Sequence, residues 1–285
     1  MKDSRPAAIG LTVLAAILWS TGGLFIKLLP QGALAILFYR SLFASILLIA
    51  VFGKGLFTFN RMSLISSLFY APLLVTFVFA TKLTTAANAI FLQYTAPAFV
   101  LLLEPLLLKT KLTRVNIVTV LVCLAGMVLF FSEQFTTPDH WLGIWLALAS
   151  GFILTGLLLT QKMNTPEFQP GAILLGNVWV CLIALPTAMS EALPGLTDTA
   201  YLLFLGFGQL GLGYVFFLYG QKHLPAIESA LIAMLEPILN PVWVFLGHGE
   251  FPGWWALAGG SLIVMALVGR LVWIEVIGKN ADGSP

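Results

Sequence analysis

The chain has 285 residues, 59% hydrophobic and only 9% charged, where soluble domains average about 45–50% and about 25%. A net charge of +2 from 14 basic and 12 acidic residues is too sparse to clothe a soluble fold, and it forms no basic stripe for nucleic acid. The two cysteines, Cys123 and Cys181, lie inside apolar runs and read as buried thiols, which excludes a disulfide scaffold.

A membrane helix needs about 20 apolar residues. Stretches broken by Pro, Gly and charge predict ten spans, at roughly 9–29, 32–52, 62–81, 85–107, 114–132, 141–161, 170–189, 199–219, 225–246 and 253–274. The first is too long for a cleaved signal peptide and reads as a retained span. On it, Thr12, Ala16, Ser20, Gly23 and Lys27 form a stripe of mostly small residues that faces protein. Trp19 lies beside the stripe, away from either interface, as a wall of a pocket or as bulk in the bundle core. Lys27 is expected to snorkel to the outer interface. Arg40, deeper on the second span, needs a partner. A structural pair or carbonyl contacts is the reading preferred to substrate binding.

On the fourth span Asn88 and Thr95 share a face, with Gln93 about 140° away, and Pro97 falls near midplane depth. Gly206, Gly213 and Gly220 recur at seven-residue spacing on the eighth span, a surface for close packing or for sliding. Gln209 projects near it as a candidate polar contact. Tyr214 and Tyr219 read as packing residues, with gating as the alternative.

Glu236 stands about eleven residues into the ninth span, about 16 Å deep at 1.5 Å per residue. An ionisable group at that depth marks a pathway or proton site by default; the alternative is a structural carboxyl bonded to a neighbouring helix. Pro237 removes the helical bond to the Ala233 carbonyl, and Pro241 does the same one turn on. Freed carbonyls beside a carboxylate suit an ammonium group. Glu228, just after Pro225, reads as a helix cap. It lies about 80° in phase from Glu236, with Ser229 and Asn240 in or beside that sector. Two proline-interrupted helices at equivalent depth, at Pro97 and Pro237, point to hinges beside a binding site; a packing kink is the alternative.

Orientation follows from Lys and Arg. With a cytosolic N-terminus, the inner segments hold Lys2, Arg5, Lys54, Arg61, Lys109, Lys111, Arg114, Lys162, Lys222, Arg270 and Lys279, and the outer loops hold Lys82. Both termini are then inside, and Trp141, Trp145, Trp254 and Trp255 gather at the outer interface. Lys82-Leu83-Thr84-Thr85-Ala86 precedes Pro97 as Lys222-His223-Leu224-Pro225-Ala226 precedes Pro237, at the same offset of 140 residues. Ala35-Ile36-Leu37-Phe38 echoes Ala172-Ile173-Leu174-Leu175 further upstream. Five spans followed by five imply inverted repeats, as in secondary transporters. The predicted fold is all-α integral membrane, ten helices in two inverted five-helix repeats, 1–137 and 138–285.

Thr85-Ala86-Ala87-Asn88-Ala89 leading to Gln93-Tyr94-Thr95-Ala96-Pro97 resembles the fourth-helix signature of the EamA-type branch of the drug/metabolite transporter superfamily. Glu228-Ser229-Ala230 through Leu235-Glu236-Pro237 resembles the ninth-helix counterpart. Phe38-Tyr39-Arg40 and the Gly249-Glu250 pair also fit. After the fourth span that pair is replaced by Lys109-Thr110-Lys111, a departure from any symmetric role of the glutamate.

The resemblance implies export of small metabolites such as amino acids, aromatic ones among them, across a bacterial inner membrane by alternating access. The candidate substrate-binding residues are Glu236, Trp19, Ser20, Asn88, Thr95, Gln209, Glu228, Ser229 and Asn240. Efflux of cationic drugs, with Glu236 as counter-charge, is the alternative, and a channel is a further one. His140, His223 and His248 lie at span ends or in loops on both sides of the membrane. That placement predicts no metal cluster and no His-based triad, hence no enzyme and no cofactor.

Overall fold

A computed structural model describes residues 4–108, 113–134, 141–224 and 232–273, and among these the chain is helical with no strand. Seven helical stretches are long and apolar enough to cross a membrane: Arg5–Leu28, Ala33–Phe57, Arg61–Leu83, Ala86–Glu104, Trp141–Met163, Pro166–Ser190 and Leu196–Gly220. They coincide with seven predicted spans. The fifth and tenth are represented by shorter apolar helices, Arg114–Leu129 and Trp254–Arg270. The ninth is seen as the helix Leu235–His248. Its expected first turns, with Glu228 and Ser229, lie outside the described residues, as do Lys109 and Lys111.

Large apolar side chains such as Leu68, Leu106, Met189 and Leu246 are exposed on the outside of the bundle. That surface suits lipid rather than water. Inside, the third span packs on the sixth and seventh, and the eighth packs on the first and second. The fourth packs on the sixth, as the ninth does on the first. The second and seventh, the fourth and ninth, and the fifth and tenth meet each other. Exchanging each span with the one five places on leaves this pattern unchanged.

The glycine stripe of the eighth span has the close-packing role predicted for it. An added Cβ would strike the Phe43 side chain at Gly206, Leu47 at Gly211, Trp19 at Gly213 and Thr12 at Gly220. Small residues let the backbones of the first, second and eighth spans approach where hydrocarbon offers no other drive to associate.

Four spans are interrupted. The first divides at Thr21, between Ser4–Ser20 and Gly22–Leu28. The fourth divides at Tyr94 and Thr95, between Ala86–Gln93 and Ala96–Leu108. The eighth carries a π-helical segment, Phe204–Leu212, a widened turn frequent at functional sites. The ninth has a turn at Met234 before Leu235–His248. The fourth break begins three residues before Pro97, and the ninth lies three residues before Pro237.

Loops tie both ends of the bundle. At one end Gln31 Nε2 donates to Asp198 over 2.7 Å; at the other, Asn60 Nδ2 donates to Asn164 Oδ1 over 2.8 Å. Lys27, expected to snorkel to the outer interface, has defined partners at its end of the bundle. Its ammonium pairs with Glu250 at 2.8 Å and donates to the Thr84 carbonyl at 2.7 Å. The other Glu250 oxygen accepts from the Ala86 N–H at 2.7 Å, so one carboxylate binds the first span and caps the first half of the fourth. A lysine held by two acceptors gains more than one reaching for water.

Lys162 and Glu104, paired at the opposite end at 2.6 Å, have side chains 56% and 22% exposed, against 14% and 18% for Lys27 and Glu250. Exposed pairs contribute about 0–1 kcal/mol, and removing a partner from a shielded, hydrogen-bonded one costs more. Glu250→Gln should therefore lower the melting temperature of the detergent-purified protein by several degrees. Glu104→Gln should leave it within about one degree. Equal shifts in thermal melts would show that the Glu250 pair is no stronger than a surface contact.

Candidate substrate-binding site

The fourth and ninth spans meet at their breaks. The Tyr94 hydroxyl lies 2.8 Å from Glu236 Oε2 and 3.1 Å from the Ala233 carbonyl oxygen. That carbonyl is the one Pro237 deprives of its helical N–H, so the Tyr94 hydroxyl takes the place of the missing donor when Glu236 is protonated. Tyr94 has one hydroxyl proton for two acceptors. With the carboxyl ionised, Tyr94 donates to Glu236. With it protonated, Glu236 donates to Tyr94, which donates to Ala233. Both charge states are hydrogen-bonded, as suits a carboxyl that takes up and releases a cation or a proton.

Glu236 also stands in the first turn of its half-helix, where the helix dipole favours a negative charge. It is half-buried, as are Tyr94, Tyr214 and Trp19. The Trp19 ring meets Tyr214 edge-on at 5.3 Å and lies 5.0 Å from Phe217. Its Nε1 is buried without a hydrogen-bond partner. Tyr214 in turn meets the buried Tyr70 ring at 5.7 Å, and Asn177 Nδ2 donates to the Tyr70 hydroxyl at 3.3 Å.

Arg40 lies in the same region. It is 3% exposed, and it interacts electrostatically with Tyr70, Tyr214 and Glu236. The structural pair or carbonyl contact expected for it is absent among the described residues: its Nε and Nη1 have no partner. A buried guanidinium normally has its counter-charge in the protein, and among the described residues none contacts this one.

The remaining predicted residues divide into groups. Gln209 and Asn240 flank the break in the first span. Gln209 Nε2 donates to the Trp19 carbonyl at 3.2 Å, and Asn240, fully buried against Gly23, has both polar atoms unpartnered. Ser20 accepts from Trp243 Nε1 at 2.9 Å, a contact that joins the first and ninth spans. Asn88 stays near the start of the fourth span, donating to Thr84 Oγ1 at 3.0 Å.

Thr95 turns to the sixth span. Its hydroxyl bonds back to the Leu92 carbonyl and packs on Gly151, which places it away from Glu236. Tyr70 and Asn177 were not found from sequence. Tyr70 shares its helix with buried Ser63, Ser66, Ser67 and Thr81, so nothing in the sequence singled it out, whereas Asn177 is a buried amide in an otherwise apolar stretch.

An apolar crevice of about 520 Å³ lies among Phe91, Ile238, Phe245, Phe251, Val264 and Met265. It lacks charge and opens where Ile238, Phe245 and Met265 are exposed, so it suits an acyl chain rather than a charged solute.

The sequence matches the profile of the EamA-like transporter family over residues 6–132 and again over 141–271. It is 25% identical to the pseudopaline exporter CntI of Pseudomonas aeruginosa, over 93% of this chain and 96% of that one. An uncharacterized transporter of Archaeoglobus fulgidus is 23% identical over 92% and 95%. Mouse solute carrier family 35 member G1 is 23% identical over 93% of this chain and 78% of its own. A solved crystal structure superposes with a TM-score of 0.64 at 20% identity, covering 94% of this chain and 98% of that one. The chain belongs to the EamA-like transporter family, within the drug/metabolite transporter superfamily, and is a multi-pass membrane transporter of small metabolites.

Proposed function

We propose that this protein exports amino acids, aromatic or apolar ones foremost, by alternating access between the halves 1–137 and 138–285. In this reading both termini are cytosolic, in a bacterial inner membrane. The observation that carries it is the Tyr94–Glu236 contact, where two proline-broken helices, one from each half, share a single hydrogen-bonded carboxyl. Rocking the halves must make or break that contact, so the affinity for a cation at Glu236 is tied to the conformation. The substrate ammonium binds Glu236, and the Trp19 and Tyr214 rings receive the side chain. Glu228, Ser229, Gln209 and Asn240 supply further polar contacts, and Pro97 and Pro237 act as hinges. A relative that exports pseudopaline fits outward movement of a metabolite.

Reconstitution in liposomes tests this. L-Phenylalanine flux should saturate and be accelerated by unlabelled phenylalanine on the opposite side. Non-saturating flux without counterflow would indicate a channel. Flux of hydrophobic cations with none of amino acids would turn the reading to drug efflux.

A further inference from the structure

In the interior of the bundle the Arg40 guanidinium is buried without an acceptor. Among the described residues no ion pair joins Arg40 to Glu236, and Arg40 Nε and Nη1 have no acceptor. The other described acidic groups are placed elsewhere. Asp198 and Glu250 are engaged at one end of the bundle, Glu191 accepts from the Gly32 N–H there, and Glu104 holds Lys162 at the opposite end. Glu167 is exposed in the first turn of the seventh span. A buried charge with unmade hydrogen bonds is costly. It is tolerated where a ligand completes it.

We infer that Arg40 is a carboxylate subsite: its guanidinium takes the substrate's carboxylate while Glu236 takes the ammonium, making the site selective for zwitterions over amines. The inference rests on the amino-acid reading above and adds to it the second recognition group. A guanidinium offers two parallel N–H donors to a carboxylate, a geometry that lysine lacks. Tyr70 and Tyr214, whose rings lie 5.7 Å apart, add polar-tipped aromatic surface in the same region. An amine without the carboxylate leaves the guanidinium buried and unpaired. That loss discriminates more sharply than a missing apolar contact.

The test compares L-phenylalanine with L-phenylalaninamide at mildly acid pH, where both amines are charged and only the first carries a carboxylate. The wild type should prefer phenylalanine by at least about tenfold in half-saturation, the weight of one charge-assisted hydrogen bond. Arg40→Gln should bring the two within about twofold by weakening phenylalanine alone, and Arg40→Lys should keep part of the preference. Equal affinity in the wild type overturns the inference and leaves amino-acid export standing. A full tenfold preference in folded Arg40→Gln overturns it as well.

If neither compound is moved, the amino-acid reading fails. The anion subsite is then tested alone, by benzoate protection against heat in the wild type and in Arg40→Lys. Stabilisation that Arg40→Lys weakens supports the subsite, and its absence in the wild type overturns it.

Discussion

Glu236→Gln is expected to fold and reach the membrane yet lose about ten- to a hundredfold in transport efficiency. Glutamine keeps the length of the side chain and still accepts from Tyr94, which now lies 2.8 Å from the carboxylate. The charge is gone, and a charge-assisted hydrogen bond to a substrate ammonium is worth about 1.5–3 kcal/mol. The fall should appear in kcat/KM for counterflow, with unchanged membrane yield and melting temperature. Tyr94→Phe should be milder, because it leaves the Ala233 carbonyl unserved but keeps the charge. Transport by Glu236→Gln at the wild-type rate would reduce the carboxyl to a structural hydrogen-bonder between helices.

A large structural effect should come from Gly151. An added Cβ there would lie 2.7 Å from the Leu92 carbonyl oxygen, 2.8 Å from Thr95 Oγ1 and 3.1 Å from the Gln93 carbonyl oxygen. Two of these atoms are backbone at the break of the fourth span, so relief requires the break itself to move. Overpacking of this kind costs about 1–3 kcal/mol. Gly151→Ala should lower the melting temperature by roughly 5 °C and slow transport, since the displaced segment carries Tyr94. Gly10→Ala is the control: nothing lies within 4 Å of its added Cβ, and alanine is the better helix former. If the two variants melt together, the sixth span does not hold the break in place.

The helical membrane character follows from local quantities. Runs of about 20 apolar residues span a bilayer whatever they pack against, because backbone polar groups in hydrocarbon must be satisfied within the helix. The breaks near Pro97 and Pro237 were legible for a similar reason: a missing N–H frees the carbonyl one turn earlier in any environment. Glu236 stood out because a lone carboxylate at that depth is costly.

Tertiary structure decided the partners. The sequence could say that Ala233 loses its hydrogen bond but not that Tyr94, 139 residues away, would supply one. The sequence placed Lys27 as a lysine reaching the outer interface, and only the fold supplied its partners there, Glu250 and the Thr84 carbonyl. Arg40 looked like half of a structural pair, and packing left it unpaired beside Tyr70 and Tyr214. Thr95, in phase with Asn88 on a straight helix, turned to the sixth span because the helix is not straight. Span formation depends on the hydropathy of neighbouring residues in the chain. A site between spans depends on which faces meet, and in a bundle where nearly every face is apolar, small residues and helix breaks set that choice.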